Sequence, residues 1–132
     1  MPDVVIENPV INSPYAEPTR HFVFAHDGIR NEVAEGRRES SFFIPIAPVK
    51  RKTAQLSFDT EWTLDRMRPN DLVNRIRAQV QLWRQGGYQG ITPTTRRLLD
   101  HWRDPERKRR LFFCQVEAAE TAIFITEVAT RH

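Results

Sequence analysis

Two phenylalanines followed by a glutamine, between residues 110 and 121, form the most specific chemical pattern in the sequence. The side-chain amide of Gln115 offers one acceptor oxygen and two donor hydrogens, so it can pair with the amino group and a ring nitrogen of adenine. A ring just upstream, Phe113 or Phe112, can stack on the same base. These side chains are therefore chemically able to hold an adenine base. The alternative is structural, with both rings in the core and Gln115 as a polar residue at a helix start.

A second pattern is a basic run that surrounds Trp102, with seven cations against three carboxylates. Cationic side chains around an aromatic ring suit contact with phosphates and bases, whereas the alternative is a solvated helix end and loop. The candidate nucleic-acid-binding residues are Arg96, Arg97, Arg103, Arg107, Lys108, Arg109 and Arg110.

The sequence contains no recognisable catalytic or metal-binding pattern of its own. It has neither a Gly-x-x-x-x-Gly-Lys-Ser/Thr phosphate loop nor a Gly-x-Gly-x-x-Gly segment, and its four histidines lack the spacing of paired metal ligands. The acidic cluster at 59–61 reads as a helix start or turn, and the glycines at 86–90 read as a helix cap plus a turn. We therefore assign no catalytic residue and no metal ligand, and expect the isolated chain not to be an enzyme.

The length of the chain is that of a single domain, and its composition predicts a modest core. The chain has 132 residues, 39% of them hydrophobic, with nine prolines and a formal net charge of +3; the mean hydropathy is −0.57. Arginines account for 17 of the 20 cationic residues. The arginine fork suits phosphate oxygens, although an arginine-rich codon usage explains the bias equally well.

The cysteine content and the lengths of the apolar runs indicate the compartment of the protein. Cys114 is the single cysteine, which excludes an intrachain disulfide and suits a reducing cytosol. The N-terminal residues show no secretory signal, and no apolar run approaches the roughly 20 residues that span a bilayer. We expect a cytoplasmic protein without a membrane partner.

The sequence of the first half of the chain predicts an extended N-terminal arm and a small β region. Residues 1–20 hold four prolines, which favour an extended arm. Residues 21–24 and 29–33 read as strands on either side of the turn pair Asp27-Gly28, and 41–46 as a third strand near an edge. A further strand is expected over 54–58.

Helical spacing dominates the second half. Apolar residues at three-four spacing predict a helix over 71–85, with Leu72 on its apolar face. Thr92-Pro93 predicts the start of a second helix that stops before Asp104. A third is expected from about Gln115. The fold class is therefore α+β: a proline-rich arm, a small antiparallel β region and three helices, divided as 1–53 (arm, hairpin and basic linker), 54–103 (mainly helical) and 104–132 (basic loop and glutamine helix).

The order of short motifs along the chain resembles the N-terminal region of bacterial type III restriction endonuclease (Res) subunit-like, DEAD/DEAH-box (superfamily-two) helicase family proteins. The segments that carry the resemblance are Glu7-Asn8-Pro9-Val10-Ile11-Asn12-Ser13-Pro14, Glu17-Pro18-Thr19-Arg20-His21-Phe22, Glu35-Gly36-Arg37-Arg38, 56–65, Asn74-Arg75-Ile76-Arg77, Leu82-Trp83-Arg84, Gly87-Tyr88, 92–99 and Phe112-Phe113-Cys114-Gln115-Val116-Glu117-Ala118.

This resemblance implies the incomplete front part of a helicase motor domain. Proteins of the family bind ATP with Mg²⁺, translocate on DNA and carry an endonuclease in restriction-modification systems. By resemblance, Gln115 would read adenine and Phe113 or Phe112 would stack on it. The phosphate loop, magnesium site and nuclease of the family have no counterpart in this sequence, so Mg²⁺ belongs to the complete enzyme. The partners implied are DNA and the remainder of the motor or a modification subunit.

Two other functions stay open at this point. One is a stand-alone basic module that binds nucleic acid through 96–110, and the other is an interaction protein whose arm pairs with a partner subunit. In the resembled motor the last helix packs on a parallel sheet, so we also expect Val116, Ala119, Ile123 and Ile125 to be partly exposed in this chain.

Overall fold

A computed structural model describes residues 5–25, 28–44 and 67–131. Within them the elements are β1 (Arg20–Ala25), β2 (Gly28–Glu35), β3 (Ser41–Phe43), β4 (Met67–Pro69), α1 (Asp71–Gln85), α2 (Pro93–Arg103) and α3 (Phe113–Ile123), which continues into a π-helical turn (Phe124–Val128) and a short 3-10 turn (Ala129–Arg131). Small antiparallel sheets and three helices confirm the α+β class. Asp27, the predicted strand at 54–58 and the acidic cluster at 59–61 lie outside the described residues.

The chain forms two compact units. The sheet unit consists of Met1–Ile11 and Thr19–Asp71, and the helical unit of Asn12–Pro18 and Leu72–His132. A short piece of the N-terminal arm, which the sequence grouped with the β region, thus belongs to the helical unit.

The sheet unit is built from two separate two-stranded sheets in the part of the chain that the structure describes. β1 and β2 form the predicted antiparallel hairpin, with Arg20 opposite Glu35 and an irregularity in register between Phe22 and Phe24. β3 pairs with β4, placing Phe42 opposite Arg68. The sequence did not predict β4, because three residues that end in proline give no alternating pattern.

The helical unit has its core where α1, the following turn and α2 meet. Val80, Trp83, Tyr88 and Leu99 form the buried cluster. α1 has the predicted bounds, and its buried residues Val80 and Trp83 follow the expected spacing. Leu72, also predicted on that face, is 61% exposed.

The predicted glycine cap of α1 is confirmed as a Schellman motif. The Tyr88 N–H donates to the Trp83 carbonyl (3.0 Å) and the Gly87 N–H to the Arg84 carbonyl (3.2 Å). Gly87 takes the left-handed conformation, with φ +78°. The apolar contact that accompanies this motif is an edge-to-face packing of Trp83 and Tyr88, with ring centroids 4.8 Å apart. The turn thereby delivers Tyr88 into the core.

The starts of α2 and α3 follow from local hydrogen bonding. The Thr92 hydroxyl accepts a hydrogen bond from the Thr95 N–H (3.3 Å), with Pro93 in the first helical position as predicted. α3 starts at Phe113, two residues before the predicted position. Of the apolar residues expected to be partly exposed along α3, Val116 is buried and Ile123 packs on the core, while Ile125 is exposed.

Candidate functional site

The glutamine segment forms the first turn of α3. Phe112 is extended (φ −70°, ψ 154°) and directly precedes the helix. The Phe112 backbone N–H donates to Oε1 of Gln115 at 2.9 Å, which satisfies a donor that the helix itself leaves unpaired. Gln115 and Phe112 are exposed, and Phe113 is half-buried. The structural role of Gln115 at the helix start is therefore present, and Phe112 is not a core residue.

The arm piece of the helical unit lies against this turn. The Phe113 N–H donates to the Pro14 carbonyl at 2.8 Å. The Tyr15 ring lies 5.6 Å from the Phe112 ring, at an angle of 41°, and the Arg110 guanidinium stacks 4.4 Å from the Tyr15 centroid. Tyr15 and Phe112 remain 41% and 46% exposed. Two accessible rings and a guanidinium thus adjoin the glutamine turn.

A cleft of about 290 Å³ opens beside the arm, and we call it the arginine cleft. Its aromatic lining consists of Tyr15, Trp102 and Phe113, and its charged lining of Glu17, Arg84, Arg103, Arg110 and Glu120. Arg103 and Arg110 are exposed, whereas Glu120 is buried. The cleft therefore has exposed cations at its rim and a paired guanidinium and carboxyl group, Arg84 and Glu120, at its base.

Arg84 is the centre of an ion cluster at the base of the arginine cleft. Its Nε donates to Glu120 Oε2 at 2.6 Å and its Nη1 to Glu17 Oε2 at 3.2 Å, while Nη2 lies 3.9 Å from Glu117 Oε1. The guanidinium also stacks on the Phe113 ring, 5.1 Å from its centroid. Exposed fractions of 14% for the Arg84 side chain and 1% for that of Glu120 make this a buried pair. Its charge-assisted bonds fix the arm piece to α1 and α3.

Burial changes the acidity of two groups next to Arg84. Burial raises the pKa of the Glu120 carboxyl, and the hydrogen bond and charge of Arg84 offset this only in part. Burial, and then the negative charge of Glu120, raise the pKa of the Tyr88 phenol to about 12. The Tyr88 hydroxyl is buried and forms no hydrogen bond of good geometry with any described residue. Tyr88 also has φ +58°, which is uncommon for a residue other than glycine.

The predicted basic residues have three different environments. Arg96 donates from Nη2 to the carbonyls of Gly87 and Tyr88 (3.0 and 2.9 Å), so it supports the turn after α1. Arg103 stacks 5.1 Å from the Tyr88 ring centroid and, with Arg110, lines the arginine cleft. Arg97, Lys108 and Arg109 are exposed, and Arg107 is half-buried. The seven cations therefore do not form a single stripe.

Sequence reasoning missed the participation of Tyr15, Glu17 and Arg84. Nothing local to Tyr15 or Glu17 signals it, because their partners are far along the chain. The Leu82-Trp83-Arg84 motif identifies no partner for Arg84, and the proline pattern of the arm does not identify the surface on which the arm packs. A charged residue on the apolar side of a helix is the one available signal, since buried arginines are nearly always paired.

Neither a metal centre nor a membrane span is found in the described residues. No group of three histidine, cysteine, aspartate or glutamate side chains among them could hold a metal ion. No helix there has the length and apolar character needed to cross a membrane. Comparison of the chain with family models, with curated proteins and with solved structures finds no match.

Proposed function

We propose that this chain is the front segment of an ATP-dependent DNA translocase similar to the type III restriction helicases, and that the start of α3 recognises the adenine of ATP. The observation that carries the proposal is the ring contact between Tyr15 and Phe112 beside the Gln115 amide. Accessible rings offer a stacking surface, and the amide offers a hydrogen-bonding edge. DNA and the remaining motor or a modification subunit are the implied partners.

The hydrogen bond at the helix start is compatible with adenine recognition. A carbonyl oxygen has two lone pairs, so Gln115 Oε1 can accept from the Phe112 N–H and from an adenine amino group together. The Nε2 hydrogens of Gln115 are the donors for a ring nitrogen of the base. The same bond would hold the amide in position before the nucleotide arrives, which lowers the entropy lost on binding.

The isolated chain is expected to bind ATP without hydrolysing it. Its sequence contains no phosphate loop whose lysine and backbone amides could hold the γ-phosphate. Charge that develops on that group in the transition state would therefore be left without its usual stabilisation. Magnesium-dependent ATP turnover by the pure protein would contradict this part of the proposal.

The test is nucleotide selectivity, followed by shifts in the NMR spectrum of the protein. With stacking and one base edge as the contacts, we expect a Kd for ATP on the order of 1 mM. ATP should bind at least about fivefold more tightly than GTP, a difference of roughly 1 kcal/mol that corresponds to one discriminating pair of hydrogen bonds. Shifts should centre on Phe112 and Gln115.

Gln115→Glu separates recognition from helix capping. Glutamate serves the capping position as well as glutamine does, so α3 should remain intact. It cannot donate a hydrogen bond to the base when ionised, so the preference for ATP should disappear. Cys114→Ser, an exposed neighbour, is the matched control and should retain the preference. Equal binding of ATP and GTP by the unaltered protein, or an unchanged preference in Gln115→Glu, would refute adenine reading.

A second candidate function, nucleic-acid binding by the chain itself, is favoured by one observation. Arg103 and Arg110 line one cleft together with the rings of Tyr15 and Trp102. Cations beside stacking rings are the arrangement by which proteins hold single strands. This candidate predicts affinity that weakens steeply with salt, and undetectable binding at low salt would exclude it.

A further inference from the structure

The arginine cleft has exposed cations at its rim and the buried Arg84–Glu120 ion pair at its base. Arg103 and Arg110 are exposed at its rim, whereas the Glu120 carboxyl at its base is 1% exposed. Tyr15, Trp102 and Phe113 supply the walls. A ligand that fits this lining has negative charge beside the exposed arginines and a flat body between the rings. Its inner edge meets the Glu17 carboxylate, which is 28% exposed and accepts hydrogen bonds, so that edge must carry a donor.

The size of the cleft restricts the ligand further. Its volume of about 290 Å³ lies just below the range of roughly 300 to 1,000 Å³ that is typical of ligand pockets, so the ligand must be small. The bases of a duplex are stacked inside it, so none of them can enter such a cleft. A single nucleotide that is turned out of its strand can place its base between the rings while its phosphates stay outside.

We propose that the arginine cleft receives one unstacked nucleotide of a single DNA strand, with the flanking phosphates on Arg103 and Arg110. The two exposed arginines line one cleft, and they fit the two phosphates on either side of a nucleotide within a strand. A free nucleoside monophosphate has only one phosphate. Glu17, whose side chain is 28% exposed, accepts a hydrogen bond from an exocyclic amino group of the base, so cytosine and adenine are favoured over thymine. The inference extends the nucleic-acid-binding function and does not require adenine recognition at Gln115.

The experiment measures fluorescence anisotropy of a labelled single strand of about 16 nucleotides, the upper site size of one small binding domain. We expect the single strand to bind more tightly than a duplex of the same sequence. The double variant Arg103→Gln/Arg110→Gln should bind at least tenfold more weakly. The slope of log affinity against log salt should fall by about 1.4, because two phosphate contacts are lost at about 0.7 each.

The matched control is Arg97→Gln/Lys108→Gln, which removes the same charge from exposed positions that do not line the cleft. It should lower affinity less than threefold and preserve the preference for single strands. Equal losses in the two double variants would overturn the proposal, because only overall charge would then matter. Equal affinity for duplex and single strand would also overturn it.

Tyr15→Leu tests the cleft without a change in charge. Because Tyr15 is 41% exposed and lies on the arm, its loss leaves the buried core cluster intact, which circular dichroism can verify. We expect at least fivefold weaker binding of the strand with an unchanged salt slope, since a stacking contact is lost and no phosphate contact is. Unchanged affinity would overturn the proposal.

Free nucleotide distinguishes the two possible sources of the ligand. Deoxycytidine monophosphate at about 1 mM, a concentration that fills any site with a Kd well below that value, should not displace the strand. Displacement would overturn the assignment of the cleft to a nucleotide within a strand. The outcome is distinguishable from that for adenine recognition, because the preference for ATP in Gln115→Glu is measured on a different ligand and depends on the Gln115 amide, which does not line the cleft.

Discussion

The helical unit and the sheet unit differ in how much apolar surface they bury. The helical unit encloses Val80, Trp83, Tyr88 and Leu99 in one cluster. In the described part of the sheet unit, Ala25 is the one buried hydrophobic residue, and large residues such as Phe42 are exposed. Isolated two-stranded sheets are marginally stable in water, whereas the helices of the helical unit share a buried apolar cluster. The helical unit therefore carries most of the stability evident here.

The same difference in buried surface determines where side chains can be held in position for binding. The arginine cleft and the glutamine turn both lie in the helical unit, where a buried ion cluster and core packing hold the side chains. In the sheet unit, a groove of about 450 Å³ borders β1 and is lined by His21, Phe24 and Arg38 among others. Its His21 Nδ1 is 2.8 Å from the Gly36 carbonyl oxygen, in an exposed contact. Rigid support makes the helical unit the better site, because binding geometry depends on packed neighbours.

The largest expected effect comes from Arg84→Met, which keeps the apolar stem and removes the charge that joins the arm to α3. Glu120 would then be buried without its partner, and breaking a buried ion pair from one side costs about 3 to 5 kcal/mol. We expect a loss of this size in the free energy of unfolding of the helical unit, measured by urea denaturation and helical circular dichroism.

Two further variants show whether the loss comes from the buried acid. Arg97→Met removes a charge from an exposed position and should change stability by less than about 0.5 kcal/mol. Arg84→Met combined with Glu120→Leu should recover a large part of the loss, because apolar replacements of buried ion pairs are often well tolerated. No recovery would mean that the arm contacts, and not the unpaired carboxyl, explain the result.

A somewhat smaller difference is expected between Leu99→Ala and Phe42→Ala. Leu99 is 1% exposed in the helical core, so truncation leaves a cavity and should cost about 2 to 5 kcal/mol. Phe42 is 50% exposed in the sheet unit, and its truncation should cost less than about 1 kcal/mol. Thermal and urea unfolding measure both. A comparable cost for Phe42 would contradict the view that stability resides mainly in the helical unit.

Local patterns in the sequence predicted the helices well. α1 has the predicted bounds because its apolar spacing, its start after Asn70 and its glycine stop all agree. α2 starts at the predicted Thr92-Pro93 and ends before Asp104. α3 starts earlier than predicted, because Gln115 bonds back to the Phe112 N–H and occupies the third helical position instead of the first.

The ion cluster and the cleft could not be predicted from local patterns. The oxygens that Arg84 contacts belong to Glu17 and Glu120, which lie 67 and 36 residues away. Such pairings depend on how distant segments pack, and periodicity carries no information about them. For the same reason the sequence predicts one basic surface, although Arg96 binds the turn after α1 while Arg103 and Arg110 line the cleft.

The smallest expected effect concerns pH and the buried acid of the helical unit. Burial raises the pKa of Glu120 above its ordinary value of 4.5, so the folded state favours the protonated acid more than the unfolded state does. The stability contributed by this preference is complete below pH 4.5 and is lost as pH rises through the raised pKa. Glu120→Gln is neutral at every pH and lacks this dependence. The difference in unfolding free energy, unaltered protein minus Glu120→Gln, should therefore fall with rising pH above about 4.5, as measured by urea denaturation across that window. A constant difference would show that Arg84 fully compensates the buried charge, and a rising one would reverse the assigned direction.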